Sequence, residues 1–306
     1  MVKICFYNMN HIGDIYYSSL FINLIAEQNK DMNFYYFCIC GDSFFYKNKN
    51  LIKINKYENN YNKKVTNGEA PEKNLNSDIL NILLNNKMEL KQLTTLNINN
   101  QTFLFINTWA MAPIIKFEDC NIISSIKGWE NLINTLNLTN LTNKINFKIK
   151  DKSDISIPFI NNTNEHNLIN IDKTLSETIF IFNYKPRSLT MPGMDQLINN
   201  LAINNKVLLA NYEEKYANNN NITFFENEYN IIPTPDCINL IKIWDIIIHC
   251  KKIIIIPSGS SFTFLHKLKE IKKNQIFMYY SHHYCNILNN TINYLMNDTL
   301  NLINII

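Results

Sequence analysis

Three short segments carry side chains that could bind or activate a phosphorylated substrate. In each, these side chains come directly after a run that predicts a β-strand. The first segment, residues 10–14, reads NHIGD. Gly13 would let a ligand approach the backbone closely. Asp14, with His11 nearby, could act as a general base if it came within hydrogen-bonding reach of a substrate hydroxyl. Asp14 could instead simply cap the helix that follows, and this alternative needs no ligand.

The second segment, residues 183–188, reads NYKPRS and places two cations directly after a predicted strand. Arg187 offers a planar fork that can bind two phosphate oxygens, and Lys185 offers a compact positive charge. Together they could neutralise a phosphate or diphosphate. The alternative is solvated surface, where most lysines and arginines lie.

The third segment, residues 253–268, reads IIIIPSGSSFTFLHKL. Four consecutive isoleucines predict a buried parallel strand, and Pro257 ends it because proline cannot donate to the ladder. Apolar residues at helical spacing follow from Phe262 to Leu268, so a helix is expected after the turn. A strand, a small-residue turn and a helix aim free N–H groups at one point, which suits a diphosphate. An ordinary strand-to-helix turn is the alternative. The turn itself consists of Ser258, Gly259, Ser260 and Ser261.

The elements that would position these segments alternate between strands and helices. The first forty residues predict β-α-β, for which parallel pairing with a right-handed crossover is the rule. Residues 43–76 are polar and predict mostly loop. The other elements expected in this half are helices at 78–93 and 126–138 and a strand at 102–106.

Residues 148–165 lose periodicity and have the composition of a linker, and the alternation then restarts. The pattern therefore predicts an α/β fold with two Rossmann-like domains facing each other across a cleft, residues 1–165 and 166–306. One large sheet is the alternative. The expected later strands are 178–183, 207–210, 222–225 and 276–280, and the expected helices are 194–201, 239–249 and 289–303.

Composition narrows the class of protein. The 306 residues are 46% hydrophobic and 18% charged, which describes a globular chain, and a net charge of +3 is too small to indicate nucleic acid. Seven cysteines without Cys-x-x-Cys spacing favour a reducing compartment. With no leader and no apolar run of membrane-spanning length, we expect a cytoplasmic protein without a transmembrane segment, although peripheral membrane contact stays open. We also expect no metal site. The adjacent histidines His282 and His283 are expected to lie in a turn rather than to bind a metal.

Two stretches resemble the ADP-heptose:lipopolysaccharide heptosyltransferase-like glycosyltransferases of family 9. They are residues 2–25, VKICFYNMNHIGDIYYSSLFINLI, and residues 244–268, WDIIIHCKKIIIIPSGSSFTFLHKL. The middle of the chain is unmatched. The resemblance implies a GT-B fold with an N-terminal acceptor domain and a C-terminal donor domain. It also implies metal-independent, inverting transfer from a nucleotide-sugar donor to a glycan or other hydroxyl acceptor, with no cofactor.

The resemblance also implies roles for particular residues. Asp14 matches the family's Gly-Asp aspartate, the proposed base. The turn from Ser258 to Ser260 matches the one that meets the donor phosphates, and Lys185 and Arg187 fall near the basic donor contacts.

Two positions depart from the family pattern. Pro257 stands where an acidic residue is common, and Phe262 stands where a histidine is common. These departures favour the alternative of a non-catalytic sugar- or nucleotide-binding module derived from such a transferase. A sugar-nucleotide epimerase is a third possibility, but the chain lacks the Gly-x-Gly-x-x-Gly turn that a dinucleotide-binding enzyme would need.

Overall fold

The chain divides into two compact units. Described residues up to 155 belong to the first unit, and those from 173 onwards belong to the second. The computed structural model describes residues 2–8, 12–38, 45, 48–53, 93–98, 100–108, 122–139, 142–150, 154–155, 173–183, 191–229, 243–256, 263–265, 267–296 and 303–306.

The first unit contains a five-stranded sheet in the order β3-β2-β1-β5-β4. Strand β1 lies in the centre and pairs in parallel with both β2 and β5, while β4 runs antiparallel to β5. The predicted β-α-β opening with parallel pairing is therefore confirmed. The elements in chain order are β1 (Lys3–Asn8), α1 (Ile12–Gln28), β2 (Phe34–Cys38), β3 (Leu51–Lys53), β4 (Leu93–Ile98), β5 (Gln101–Asn107) and α2 (Ile122–Leu138).

Aromatic side chains join the helices of this unit to its central strand. The rings of Phe21 on α1 and Trp129 on α2 are stacked with their centroids 5.6 Å apart, and Phe6 on β1 lies 6.1 Å from Trp129. All three side chains are almost fully buried. Aromatic contacts of this kind dominate core energetics, so the middle of α1 is packed firmly against α2.

The second unit contains a six-stranded sheet in which every described pair is parallel, in the order β11-β10-β9-β6-β7-β8. Numbered within the unit, this order is 3-2-1-4-5-6 when read from β8, the order of a Rossmann domain. Residues 243–247 are also helical. The elements are β6 (Thr178–Ile181), α3 (Met194–Ala202), β7 (Lys206–Leu209), β8 (Ile222–Phe224), α4 (Phe225–Tyr229), β9 (Lys252–Ile255), β10 (Ile276–Met278), α5 (His282–Met296) and β11 (Ile303–Ile305), with 3₁₀ turns at Lys173–Glu177 and Glu214–Tyr216.

The central strands of this sheet explain why it is parallel. Strand β6 reads TIFI and β9 reads KIII, and apart from the first residue of β9 both are buried. A strand that is apolar on both faces must be covered on both faces, as in doubly wound α/β domains. Because the described strands form two separate sheets, the single large sheet does not occur among them.

Several expectations need correction. The C-terminal helix begins at His282 rather than at residue 289, so His282 and His283 lie in its first turn and not in a loop. The final residues form β11 instead of continuing that helix. The residues expected to form a helix after the small-residue turn adopt 3₁₀ conformation at 263–265. The antiparallel strand β4 was not predicted. The helix expected at 78–93 lies outside the described residues, except for Leu93, which is the first residue of β4.

No helix within the described part of the chain is both long enough and apolar enough to cross a membrane.

Candidate functional site

In the first unit, the candidate base Asp14 follows β1. At this strand the sheet changes direction, because β2 and β3 lie on one side of β1 and β5 and β4 lie on the other. Strand β1 lies between β2 and β5, and the chain leaves β1 towards α1 and β2. Open α/β sheets bind ligands at such switch points, beyond the carboxyl ends of the strands. Asp14 and the buried Gly13 lie in the first turn of α1, directly beyond this edge. His11 lies outside the described residues.

The strand ends at this switch point are tied together. The backbone N–H of Thr108, which follows β5, donates to the carbonyl of Tyr7 at 3.0 Å, and the Thr108 hydroxyl donates to the same oxygen at 3.1 Å. Asn8 and Asn107, at the ends of the two strands, are also buried. The edge from which α1 departs is therefore a fixed platform lined with polar side chains.

The position of Asp14 argues against a simple capping role. Helix α1 begins at Ile12, so Asp14 is its third residue rather than the residue that precedes the helix. A carboxylate in the first turn is favoured by the helix dipole, which acts to lower its pKa. Burial outweighs that effect and raises the pKa of Asp14 from 3.8 to about 6. Such a group is ionised at neutral pH yet basic enough to accept a proton, as a general base must be.

In the second unit, the reversal falls between β6 and β9, the two central strands. The backbone N–H of Phe182 donates to the carbonyl of Ile254 at 2.9 Å, which holds the two carboxyl ends side by side. The segment with Lys185 and Arg187 leaves β6, and the turn that contains Ser258 leaves β9. The topology therefore assigns the origins of both predicted phosphate segments to neighbouring strands. The candidate residues themselves, Lys185, Arg187, Ser258, Gly259, Ser260 and Ser261, lie outside the described residues.

Asn183 joins the end of β6 to the turn after β7. Its side-chain amide donates to Glu213 Oε1 at 2.7 Å and to the carbonyl of Asn211 at 3.0 Å, and its oxygen accepts from the N–H of Asn211 at 2.7 Å. Because Asn183 is buried, these three bonds satisfy groups that would otherwise be costly to bury. The segment with Lys185 and Arg187 therefore starts from a rigid anchor.

The turn after β7 continues this network to α3. Lys215 Nζ lies 2.9 Å from Glu213 and 2.6 Å from Asp195 in the first turn of α3, and the Tyr216 hydroxyl donates to Asp195 at 2.8 Å. Partial burial acts to lower the pKa of Lys215. The hydrogen bonds that Lys215 donates to Asp195 and Glu213 raise it by more, so the net pKa lies above its ordinary value and the lysine stays charged. Burial and the bond to Asp195 raise the pKa of Tyr216 to about 12.

Sequence reasoning missed this network. The sequence predicts the strand at 207–210, but the three candidate segments do not include the turn that follows it. The available signal was an acidic residue, Glu213, following the strand next to the switch point, the place where nucleotide-binding α/β domains often hold a ribose.

The 3₁₀ conformation after β9 changes the chemistry expected of the small-residue turn. An α-helix there would have directed the positive end of its dipole at a bound phosphate. A 3₁₀ turn at 263–265 supplies no such macrodipole. Charge neutralisation in this part of the unit would therefore depend on side chains. Among the described residues, no group of three His, Cys, Asp or Glu side chains could hold a metal ion.

The fold and the candidate site define a class: an α/β protein of two units whose second sheet has Rossmann order. No protein-family model matches the sequence. No curated protein matches it either. Among solved structures, the E. coli heptosyltransferase WaaC with ADP is similar, with a TM-score of 0.42 and 9% sequence identity over 99% of this chain and 92% of that chain.

Proposed function

We propose that this protein is a glycosyltransferase that transfers a sugar from a nucleotide-sugar donor to a hydroxyl acceptor. Asp14 in the first unit takes the proton of the acceptor hydroxyl as that oxygen attacks the anomeric carbon of the donor. The bond to the nucleotide diphosphate breaks with inversion at that carbon, and the diphosphate leaves with the bonding electron pair. The second unit holds the donor and stabilises the departing diphosphate.

One observation carries this proposal, the environment of Asp14. The residue follows β1 at the switch point of the first sheet, and burial raises the pKa of its carboxyl group to about 6. A partly buried carboxylate in the first turn of a helix gains little structurally from desolvation, which disfavours its charge. A general base, in contrast, becomes more effective when its pKa is raised towards the working pH.

The donor side of the proposal draws support from strand order. The segments with Lys185 and Arg187 and with Ser258 to Ser261 begin at β6 and β9, which are neighbours at the switch point of the second sheet. Because residues 263–265 adopt 3₁₀ rather than α-helical conformation, the two cations would supply most of the charge that a leaving diphosphate requires. No metal ion enters this mechanism.

The setting proposed for this reaction is the cytoplasm. Cys5, Cys250 and Cys285 are free and buried, and thiols of this kind persist in a reducing compartment.

A non-catalytic module that binds a sugar or nucleotide is the second candidate. The 3₁₀ conformation at 263–265 favours it, since it removes the helix dipole expected at the phosphate turn. Both candidates bind a ligand, but only the transferase releases a nucleotide from a sugar.

The two candidates separate in one experiment. The protein is titrated with ADP, UDP and GDP, and it is then incubated with the corresponding nucleotide sugars while release of the nucleoside diphosphate is followed, with and without EDTA. Release that persists in EDTA supports the metal-independent transferase. Binding without release, across the panel and with sugar and glycan acceptors added, supports the binding module. Absence of any nucleotide binding would overturn the transferase and the nucleotide-binding module, and only a module that binds a sugar would remain.

A further inference from the structure

The amino-terminal ends of the strands in the second sheet form a basic surface. Two hollows of about 630 Å³ and 160 Å³ lie there, and they adjoin because Ser176 and Lys251 line both. Lys206 lines the larger hollow, and Lys272 and Lys273 line the smaller one. All four lysines are exposed. We refer to these four lysines as the basic edge.

Little in the described part of the chain offsets the charge of the basic edge. Glu177 is the one acidic side chain among the described residues that line the two hollows. None of the four lysines forms an ion pair with a described acidic residue, whereas Lys215 and Lys267 elsewhere in the unit are both paired. As far as the described residues extend, the positive charge is therefore available to an anionic partner.

Hydrogen bonds fix the backbone that carries these lysines. The N–H of Lys251 donates to the carbonyl of Thr178 on β6 at 2.9 Å. The side chain of the buried Gln275 donates to the carbonyl of Cys250 at 2.9 Å and accepts from the N–H of Lys272 at 3.0 Å. The turns before β9 and β10 are therefore joined to each other, so the lysines that they carry start from fixed positions.

The lysines of the basic edge are spread along the sheet rather than gathered at one point. Lys206 begins β7, and Lys251 and Lys272 precede β9 and β10. In the order β10-β9-β6-β7 these strands span three spacings of about 4.8 Å, or about 14 Å. A single phosphate cannot contact both ends of such a band, whereas a surface with many negative charges can.

An exposed apolar side chain lies within the same surface. Ile203, which follows α3, lines the larger hollow together with Lys206 and Lys251, and 69% of its surface is exposed. A single exposed isoleucine is ordinary by itself. Its position among lysines is informative, because a soluble polyanion gives it no apolar partner. The boundary between the headgroups and the acyl chains of a lipid bilayer does.

We propose that the basic edge and Ile203 dock this protein on a membrane surface of anionic lipids. The lysines face the negatively charged headgroups, and Ile203 enters the apolar boundary beneath them. Binding of this kind is peripheral and reversible. The basic edge lies at the opposite end of the strands from the proposed donor site, so this inference is independent of the proposed function.

The test measures sedimentation of the full chain with lipid vesicles. Vesicles of phosphatidylcholine alone are compared with vesicles of phosphatidylcholine mixed with phosphatidylglycerol, at low and high salt. We expect the wild type to bind only the anionic vesicles and to dissociate at high salt, because salt screens exposed charges.

Two variants separate the contributions of charge and apolar contact. Lys206→Gln/Lys251→Gln/Lys272→Gln should bind the anionic vesicles about a hundredfold more weakly, since each lysine near an anionic surface contributes roughly fivefold. Ile203→Ser should bind them about tenfold more weakly. Both variants should keep the melting temperature and the ADP affinity of the wild type, because the substituted side chains are exposed and lie away from the proposed donor site.

Matched substitutions in the first unit are the controls. Lys30→Gln/Lys127→Gln/Lys144→Gln removes three exposed lysines, and Leu138→Ser removes an apolar side chain that is 82% exposed. Both controls should bind anionic vesicles like the wild type. An equal loss in the two lysine variants would indicate a general effect of net charge and would overturn the proposal.

Other outcomes would also overturn it. A wild type that does not bind anionic vesicles would show that this surface is no membrane site, and the proposed function would stand unaffected. If the wild type binds soluble tripolyphosphate but no vesicles, and the basic-edge lysine variant loses that binding, the surface takes a soluble polyanion instead. Vesicle binding by Ile203→Ser at wild-type strength would show that Ile203 does not enter the bilayer.

Discussion

The side-chain amide of Asn183 lies 2.7 Å from the carboxylate of Glu213, and this bond joins the carboxyl ends of β6 and β7. Asn183 is the last described residue before the segment with Lys185 and Arg187. Glu213 is also held by Lys215 at 2.9 Å. The edge of the sheet at which we propose donor binding is therefore braced by a continuous set of polar contacts.

The substitution Asn183→Asp tests this brace with almost no change in shape. An aspartate cannot donate to Glu213 or to the Asn211 carbonyl, and its charge would face the Glu213 carboxylate. We expect a loss of about 1–3 kcal/mol in the free energy of unfolding, measured by urea titration at pH 7. Asn204→Asp, on the exposed turn after α3, is the matched control and should change stability little. Equal stability of the two variants would show that the Asn183 contacts do not brace the sheet.

The turn into α3 gives a second stability test. Gly193 has a φ of +81°, and a Cβ added there would meet the Tyr279 hydroxyl at 3.4 Å, which is ordinary contact. The cost of Gly193→Ala should therefore come from the backbone, about 1–2 kcal/mol. Asn274→Gly, at a φ of +63°, should cost little or stabilise. Thermal melts of both variants would refute this account if they shifted in the same direction by similar amounts.

Much of the fold could be predicted because apolar patterning reports burial. The runs VKICFY and IIIIP predicted the central strands β1 and β9, since a parallel strand is covered on both faces. Strand β4, LTTLNI, was missed because it lies at the edge of its sheet and none of its described side chains is fully buried, so its pattern is weak. The end of the chain was misread because INI, which forms β11, extends a helical pattern without a clear break.

The candidate site was predictable only where chemistry follows a strand directly. Asp14 could be found from its place after β1, but the burial that raises its pKa depends on packing that residue types do not reveal. The contact between Asn183 and Glu213 could not be found from the sequence, because it depends on the pairing of β6 with β7. The positions of Lys185, Arg187 and Ser258 to Ser261 stay predictions.

Arg187 provides a direct test of the donor site. Replacing it with alanine removes a charge-assisted contact to the diphosphate, worth roughly 1.5–3 kcal/mol, or about ten- to a hundredfold in affinity. Calorimetry with ADP and UDP should show this loss, with little change in melting temperature. Lys206→Ala removes a cation from the amino-terminal end of β7, at the opposite end of the strands from the proposed donor site, and should leave affinity unchanged. Unchanged affinity in Arg187→Ala would remove this residue from the site.

The raised pKa of Asp14 predicts a pH-dependent gain in stability for Asp14→Asn. In the wild type, the folded state holds its proton up to about pH 6, whereas the unfolded chain releases it near pH 4. Ionisation of the partly buried Asp14 carboxyl therefore costs stability progressively between these values, and the full cost applies above pH 6. Asparagine does not ionise, so the free energy of unfolding of Asp14→Asn should exceed that of the wild type by about 1–3 kcal/mol at pH 8 and by little at pH 4. The lost charge–dipole contact, about 0.3–1 kcal/mol, is smaller.

Urea titrations at pH 4 and pH 8 measure this gain. Asp31→Asn, on the exposed turn after α1, is the control and should show no comparable change between the two pH values. A variant of Asp14 that loses stability at pH 8 would indicate that the carboxylate serves the helix rather than a ligand.

The measurement that tests the central claim most directly is the transfer rate of Asp14→Asn, with a nucleotide-sugar donor and acceptor that the wild type accepts. Asparagine cannot take the acceptor's proton, so the rate should fall by roughly 10² to 10⁴ while nucleotide affinity is unchanged. In the wild type, kcat/KM should fall as the pH drops below about 6, where the Asp14 carboxyl becomes protonated. Asp31→Asn should behave like the wild type. Transfer by Asp14→Asn at a near wild-type rate would contradict the account and show that Asp14 is not the base.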